Sequence, residues 1–401
     1  MHNRAEAPDG NPAKPLAGWF TDPLGGLRNL SRAPNLSAKI EDVRRRVTAR
    51  AMRAVFRGGG ANGARLPRSG IHRVLVCRSV HTLGDTLTLT PLLTELADLY
   101  PGAEVDVICG CPVADALFRP FPNVRDILRM PRHAAGHPLA TARTWHAMRR
   151  KRYDLVIDPD PQSQSGRLLA LSAHATYSLG YVGPKKSGTL THGVALPAGL
   201  RHKAMLPVYL LRSAIGQDPA ARGYPQPRLL LTDAEQECGR RILARLVLTD
   251  QKSGASGPHV GIFANATRNK LLPGAWWRAF VTTLQADLPG CQIVEILPAF
   301  GKSMLGDRFP CFYSSDVRKL AALIANLDTY ISADCGVMHL AWAAGIPTIG
   351  FFSVTDPDEW GPYGDHNRAI MVAGREPEWA AELVLEVVGR ATRAACIAPP
   401  M

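Results

Sequence analysis

The 401-residue chain has no apolar run of the length a membrane-crossing helix needs, about eighteen residues, so no transmembrane segment is expected. Residues 1–30 carry Asp9, Pro12, Pro15 and Asp22 where a secretory leader would have an unbroken apolar core. A cytoplasmic protein is therefore expected. The eight cysteines are scattered, with no CxxC pair and no Cys/His spacing suited to zinc. They read as reduced thiols, with Cys109-Gly110-Cys111 as small residues ending a strand. Basic residues are plentiful but lack an interleaved aromatic platform or a known module, which argues against nucleic acid.

The net charge of +13 asks for a polyanionic partner, either an acidic membrane surface or a phosphorylated substrate once nucleic acid is set aside. With 46% hydrophobic and 20% charged residues the chain folds, and its length suits two domains. Residues 1–35 read as a tail rich in Pro, Gly and Asn. From Asn35 to Arg57, Ile40, Val43, Val47, Ala51 and Val55 recur at helical spacing among arginines, which predicts a basic amphipathic helix. Docking to anionic lipid and packing on the protein body are equal readings of that helix.

Beyond it, short apolar runs alternate with helical patterns. Arg73–Cys77, Glu104–Ile108 and Leu155–Asp158 read as strands of a first parallel sheet, with a helix from Thr86 to Tyr100 after the first of them. The alternation restarts at His259–Phe263 and continues through Gln292–Ile296, Thr329–Ser332 and Thr348–Phe352. The predicted organisation is an extension over residues 1–70, a Rossmann-like lobe over 71–235, a linker over 236–258 and a second Rossmann-like lobe over 259–401. Ligands of such sheets bind outside the carboxyl ends of the strands, so the loops of both lobes should face one cleft.

Four segments carry chemistry. Asp334-Cys335-Gly336 ends a strand and opens a helix through His339, so a diphosphate would meet free amides and a helix dipole there. His339 either donates to that phosphate or packs; its position alone leaves both open. Lys270, in the loop Asn265 to Lys270 that includes Thr267, stands where it would neutralise a departing diphosphate or simply be a solvated charge. Thr355-Asp356-Pro357 and Trp360 to Gly364 form a turn-rich loop beside the cradle. Asp85, on a Gly-Asp turn in the first lobe, is an N-cap or, if the opposite lobe holds an activated sugar, a base.

In order along residues 71 to 390, these segments resemble glycosyltransferase family 9, the ADP-heptose:lipopolysaccharide heptosyltransferases. The resemblance rests on Leu83-Gly84-Asp85 with Leu89-Thr90-Pro91-Leu92-Leu93, Tyr153 to Asp158, Leu179-Gly180-Tyr181, Lys270-Leu271-Leu272-Pro273, Asp334 to Ala341, Gly345-Ile346-Pro347, and Thr355 through Gly364. Cys335 and Leu272 stand where the family has Thr or Ser and Trp, and the segment after Asp158 lacks its Gln-Gly. The resemblance implies a GT-B fold, an inverting, metal-independent transfer without a cofactor, ADP-L-glycero-D-manno-heptose as donor and a lipopolysaccharide core acceptor at the inner face of the cytoplasmic membrane. It implies Asp85 and Lys270 as catalytic residues. Donor contacts would come from Thr267, Asp334, Cys335, Gly336, His339, Thr355 and Asp356, and acceptor contacts from His81, Thr82, Gly84, Asp158, Gln164 and Ser165. A protein or other glycan acceptor, or a non-catalytic nucleotide-sugar-binding protein, are the alternatives.

Overall fold

The computed structural model describes residues 65–132, 134–183, 186, 188–249 and 257–397. The helix expected over residues 35–57 lies outside them. Continuous apolar runs become inner strands because helices cover both faces of a parallel sheet; in β1 (Arg73–Cys77) only the first residue is exposed. The chain continues through α1 (Leu83–Leu87), α2 (Thr90–Leu99), β2 (Glu104–Cys109), α3 (Ala114–Phe118), β3 (Val124–Arg129) and α4 (Pro138–Arg149). It then forms β4 (Tyr153–Asp158), α5 (Gln164–Ser172), β5 (Ala175–Val182), β6 (His192–Ala195) and α6 (Leu206–Ala214).

The second lobe comprises α7 (Asp233–Thr249), β7 (His259–Phe263), α8 (Gly274–Asp287), β8 (Gln292–Ile296), β9 (Cys311–Phe312), α9 (Val317–Ile324) and β10 (Thr329–Ala333). It closes with α10 (Gly336–Ala344), β11 (Thr348–Phe352), α11 (Pro357–Trp360), β12 (Arg368–Met371) and α12 (Pro377–Ile397).

Both sheets are parallel and six-stranded, ordered β3-β2-β1-β4-β5-β6 and β12-β11-β10-β7-β8-β9. Counted within each lobe the order is the same, and the strand order reverses between β1 and β4 and between β7 and β10. At these reversals the helices leave on opposite faces and open a crevice at the carboxyl ends of the strands. The turn after β1 meets the helix start after β10, and the loop after β4 shares a cleft with Trp360 from the loop after β11. This is the GT-B arrangement of two facing Rossmann-like lobes.

Three expectations are corrected. The helix expected from Thr86 to Tyr100 is two helices: Pro91 has no amide for the Leu87 carbonyl, which takes the Thr90 hydroxyl instead at 2.8 Å. The expected linker over 236–258 begins inside α7, which packs on α9 of the second lobe. There Arg318 Nη2 bonds Glu235 at 2.5 Å and Asn326 donates to the Gln236 carbonyl at 3.0 Å. The crossing between lobes is therefore the extended stretch before Asp233. Residues 65–70, expected in the extension, join the first lobe: Leu66 is buried, its amide bonded to the Ala214 carbonyl at 2.8 Å.

Candidate active site

At the carboxyl end of β1, Thr82 caps the short helix α1. Its hydroxyl accepts from the Asp85 amide at 3.3 Å and donates to Asp85 Oδ2 at 2.6 Å. The carboxylate is thereby aimed in the first helical turn, where the helix dipole favours its charge. Buried Arg78, immediately after β1, reaches Asp85 Oδ1 at 3.7 Å and Asp160 Oδ2 at 3.0 Å. Asp85, Asp160, Arg78, Lys203, Leu206 and Trp360 line a cleft of about 330 Å³ between the lobes.

On the second lobe, Lys270 Nζ contacts Asp334 Oδ2 at 2.7 Å, and the Thr355 hydroxyl donates to the same oxygen. Asp334 is almost fully buried, so it fixes Lys270 and Thr355 rather than meeting solvent itself. Cys335 precedes α10 in extended conformation and makes no side-chain cap, and burial pushes its thiol pKa up. Its sulfur lies 3.4 Å from the Ser332 hydroxyl. The first amides of α10 are thus free of side-chain capping.

The lobes touch at this point. A Cβ on Gly84 would lie 2.6 Å from His339 Cδ2, and one on Gly336 would lie 3.1 Å from Leu83 Cβ, so both glycines are needed for the approach. His339 is buried at the junction, near Trp342 and Trp360, with Nδ1 unpartnered. Burial depresses its pKa, against the pull of Asp334 and Asp85 and with the push of Lys270. Farther out, Arg201 pairs with Asp356 at 2.7 Å and with Asp358 at 3.0 Å, and the Lys203 amide donates to the Glu359 carbonyl at 2.9 Å.

The expected site residues therefore divide. Asp85, Thr82 and Gly84 stand at the cleft on one side, and Lys270, Asp334, Cys335, Gly336, His339 and Thr355 gather on the other. Thr267 is exposed, its carbonyl accepting the Lys270 amide. Ser165 sits at the cleft rim, linking Ser79 at 2.7 Å and Ser163 at 2.9 Å. Gln164 opens α5 behind it. His81 packs its ring over Gly110.

Two assignments are corrected. Asp158 is fully buried beneath the cleft, held by Arg167 at 2.9 Å and Lys186 at 2.7 Å, so it cannot meet an acceptor. Asp160, two residues on, takes the cleft position. The Asp356 carboxylate caps α11 through the Asp358 amide at 2.9 Å and pairs with Arg201, so it is committed to the lobe contact instead of the Lys270 cluster. Sequence reasoning missed Arg78, Asp160 and Lys203, and had Trp360 only as part of the turn-rich loop beside the cradle. Arg78 was open to discovery from its place just past a buried strand; Lys203 and Trp360 reach the cleft only through the tertiary fold.

The sequence pattern of glycosyltransferase family 9 (heptosyltransferase) matches residues 315–384, the stretch that holds Asp334, His339 and Thr355. Lipopolysaccharide heptosyltransferase 2 of Salmonella typhimurium is 24% identical over 301 residues, spanning 72% of this chain and 85% of the relative. The chain is thus similar to glycosyltransferase family 9, in sequence pattern over residues 315–384 and in one relative at 24% identity. Among solved structures, the family 9 glycosyltransferase of Veillonella parvula superposes with a TM-score of 0.64 at 17% identity, over 82% of this chain and 98% of that one. ADP-heptose lps heptosyltransferase II of E. coli does so with a TM-score of 0.58 at 18% identity, over 80% and 99%. These likenesses carry the fold alone, two lobes about one cleft.

Proposed function

We propose that this glycosyltransferase moves heptose from ADP-L-glycero-D-manno-heptose to the lipopolysaccharide inner core, with inversion and without a bound metal. The observation that carries the reading is that His339, at the lobe contact, feels the charges of both Asp85, held by Thr82, and Lys270, held by Asp334. Asp85 takes the proton of an acceptor hydroxyl while its oxygen attacks the anomeric carbon and the bond to ADP breaks on the opposite face. ADP leaves with the bonding pair. Lys270 and the uncapped amides of α10 neutralise its diphosphate, supplying the positive charge the leaving group needs. Closing the lobes around donor and acceptor aligns them and excludes water. Because Leu83 and Gly84 lie against the start of α10, donor entry requires the lobes to part first.

The relatives' names support the donor and acceptor: one is a lipopolysaccharide heptosyltransferase and another an ADP-heptose lps heptosyltransferase. Among the described residues no helix is long and apolar enough to cross a membrane. We place the reaction at the inner face of the cytoplasmic membrane, where such an acceptor is built. A second reading, transfer to a protein or another glycan, is favoured by Asp160 in the cleft, a carboxylate where an anionic core sugar would be repelled.

The test is release of ADP from ADP-heptose, against UDP- and GDP-sugars, with and without lipopolysaccharides truncated before the first and after the first heptose of the inner core. Binding of ADP-heptose without transfer to that acceptor supports the second reading, and no binding of ADP-heptose refutes both donor and acceptor. Asp85→Asn should keep donor binding and lose roughly 10²–10⁴-fold in transfer, the usual contribution of a general base.

A further inference from the structure

We propose that Asp160 is a positioning residue that, through Arg78, keeps Asp85 a strong enough base; this rests on Asp85 being the base. Arg78 is the one cation in ion-pair contact with Asp85 among the described residues, and it is shared. Its Nη1 bonds Asp160 Oδ2 at 3.0 Å, while its Nη2 stands 3.7 Å from Asp85 Oδ1. Coulomb interactions add, so at Asp85 the negative charge of Asp160 offsets part of the attraction of the shared guanidinium. Asp160 does not depend on Arg78 for its place. Its Oδ1 accepts the amides of Gln162 at 2.7 Å and Ser163 at 3.1 Å, two donors fixed by the backbone.

The other charged groups facing this pair have partners of their own. Lys203 Nζ is 3.2 Å from Glu359 and over the Trp360 ring. Lys186 is bound to buried Asp158, and Lys270 to Asp334. His339, beside Gly84 at the lobe contact, feels the Asp85 charge, and burial lowers its pKa. Burial pushes the Asp160 pKa up, but Arg78, the two amides and Lys186 outweigh it, so Asp160 stays ionised and Arg78 stays compensated. An arginine left alone beside Asp85 would stabilise the carboxylate and weaken it as a proton acceptor. Asp160 prevents that.

The experiment is the pH dependence of kcat/KM for ADP release from ADP-heptose with truncated lipopolysaccharide, in the full chain. Asp160→Asn keeps the Oδ1 acceptor for the loop amides and removes only the charge. Its acidic limb should move down by about one pH unit, and its plateau rate should fall by roughly threefold as the base weakens. Arg78→Gln, which leaves two carboxylates uncompensated, should move the limb up. In the Arg78→Gln background, Asp160→Asn should shift the limb less than it does alone, because the relay is gone. A slower Asp160→Asn enzyme with an unmoved limb means a loop role and overturns the proposal, as does a rise in acceptor KM alone. Asp160→Ser repeats the test if the first variant folds poorly. Undiminished transfer by Asp85→Asn would instead overturn the base assignment, a result separable from any of these.

Discussion

Acid should loosen the seam between the lobes through one histidine. His202 is 6% exposed. Its Nε2 donates to the Gly361 carbonyl at 2.8 Å and its Nδ1 accepts the Ala204 amide at 3.2 Å, so both nitrogens are satisfied only in the neutral ring. The ring stands edge-on to Trp342 and Tyr363, at centroid distances of 5.8 and 4.9 Å. Burial, opposed by the bond to Gly361, pushes its pKa from 6.5 to about 4. The unfolded chain therefore takes up the proton first. The contribution is complete above the unfolded value, shrinks as pH falls and levels off below the folded one. Between about pH 7.5 and about pH 5 the loss comes to about 2 kcal/mol. His202→Gln keeps a donor toward Gly361 and does not titrate. In urea unfolding across that interval, wild type should lose about 2 kcal/mol more stability than the variant. His192 and His339, also depressed by burial, are present in both proteins and cancel in the difference. Parallel pH curves for the two proteins would refute the reasoning.

Gly84→Ala puts a methyl 2.6 Å from His339 Cδ2, whose ring is enclosed and cannot swing aside. The lobes should part by a fraction of an ångström to an ångström, with transfer falling by up to about 10²-fold; an unchanged rate would contradict the packing. Arg212 binds both oxygens of buried Glu95, at 2.8 and 2.9 Å, and the carbonyls of Pro219, Arg222 and Gly223. Arg212→Met leaves Glu95 with Arg222 alone and should cost about 3 kcal/mol, read as a lower thermal midpoint.

Four strands, β1, β7, β8 and β11, have the limits that apolar runs bounded by turn residues predict, because an inner strand of a parallel sheet is apolar on both faces. The edge strands β3, β6 and β9 are short or partly exposed, and their mixed residues give no period to read. The break before Pro91 had a visible signal in the proline, but two apolar stretches on either side read as one helix. Asp158 was expected among the acceptor contacts through the family resemblance, not from any local pattern. Its burial depends on Arg167 and Lys186, which arrive from later elements.

What the sequence determined by itself was local: the alternation of strand and helix, the turn chemistry at Gly84-Asp85 and Cys335-Gly336, and Lys270 in a loop after a strand. Each depends on neighbours along the chain, which periodicity and turn residues report. The tertiary structure decided what long-range approach controls. It brought Arg78 between Asp85 and Asp160, which lie on loops after different strands, and Lys203 beside Trp360 from the opposite lobe. It also turned Asp356 toward Arg201 and set Gly84 against His339. Distances between side chains remote in sequence follow from how two sheets pack and face each other, and no local pattern encodes them.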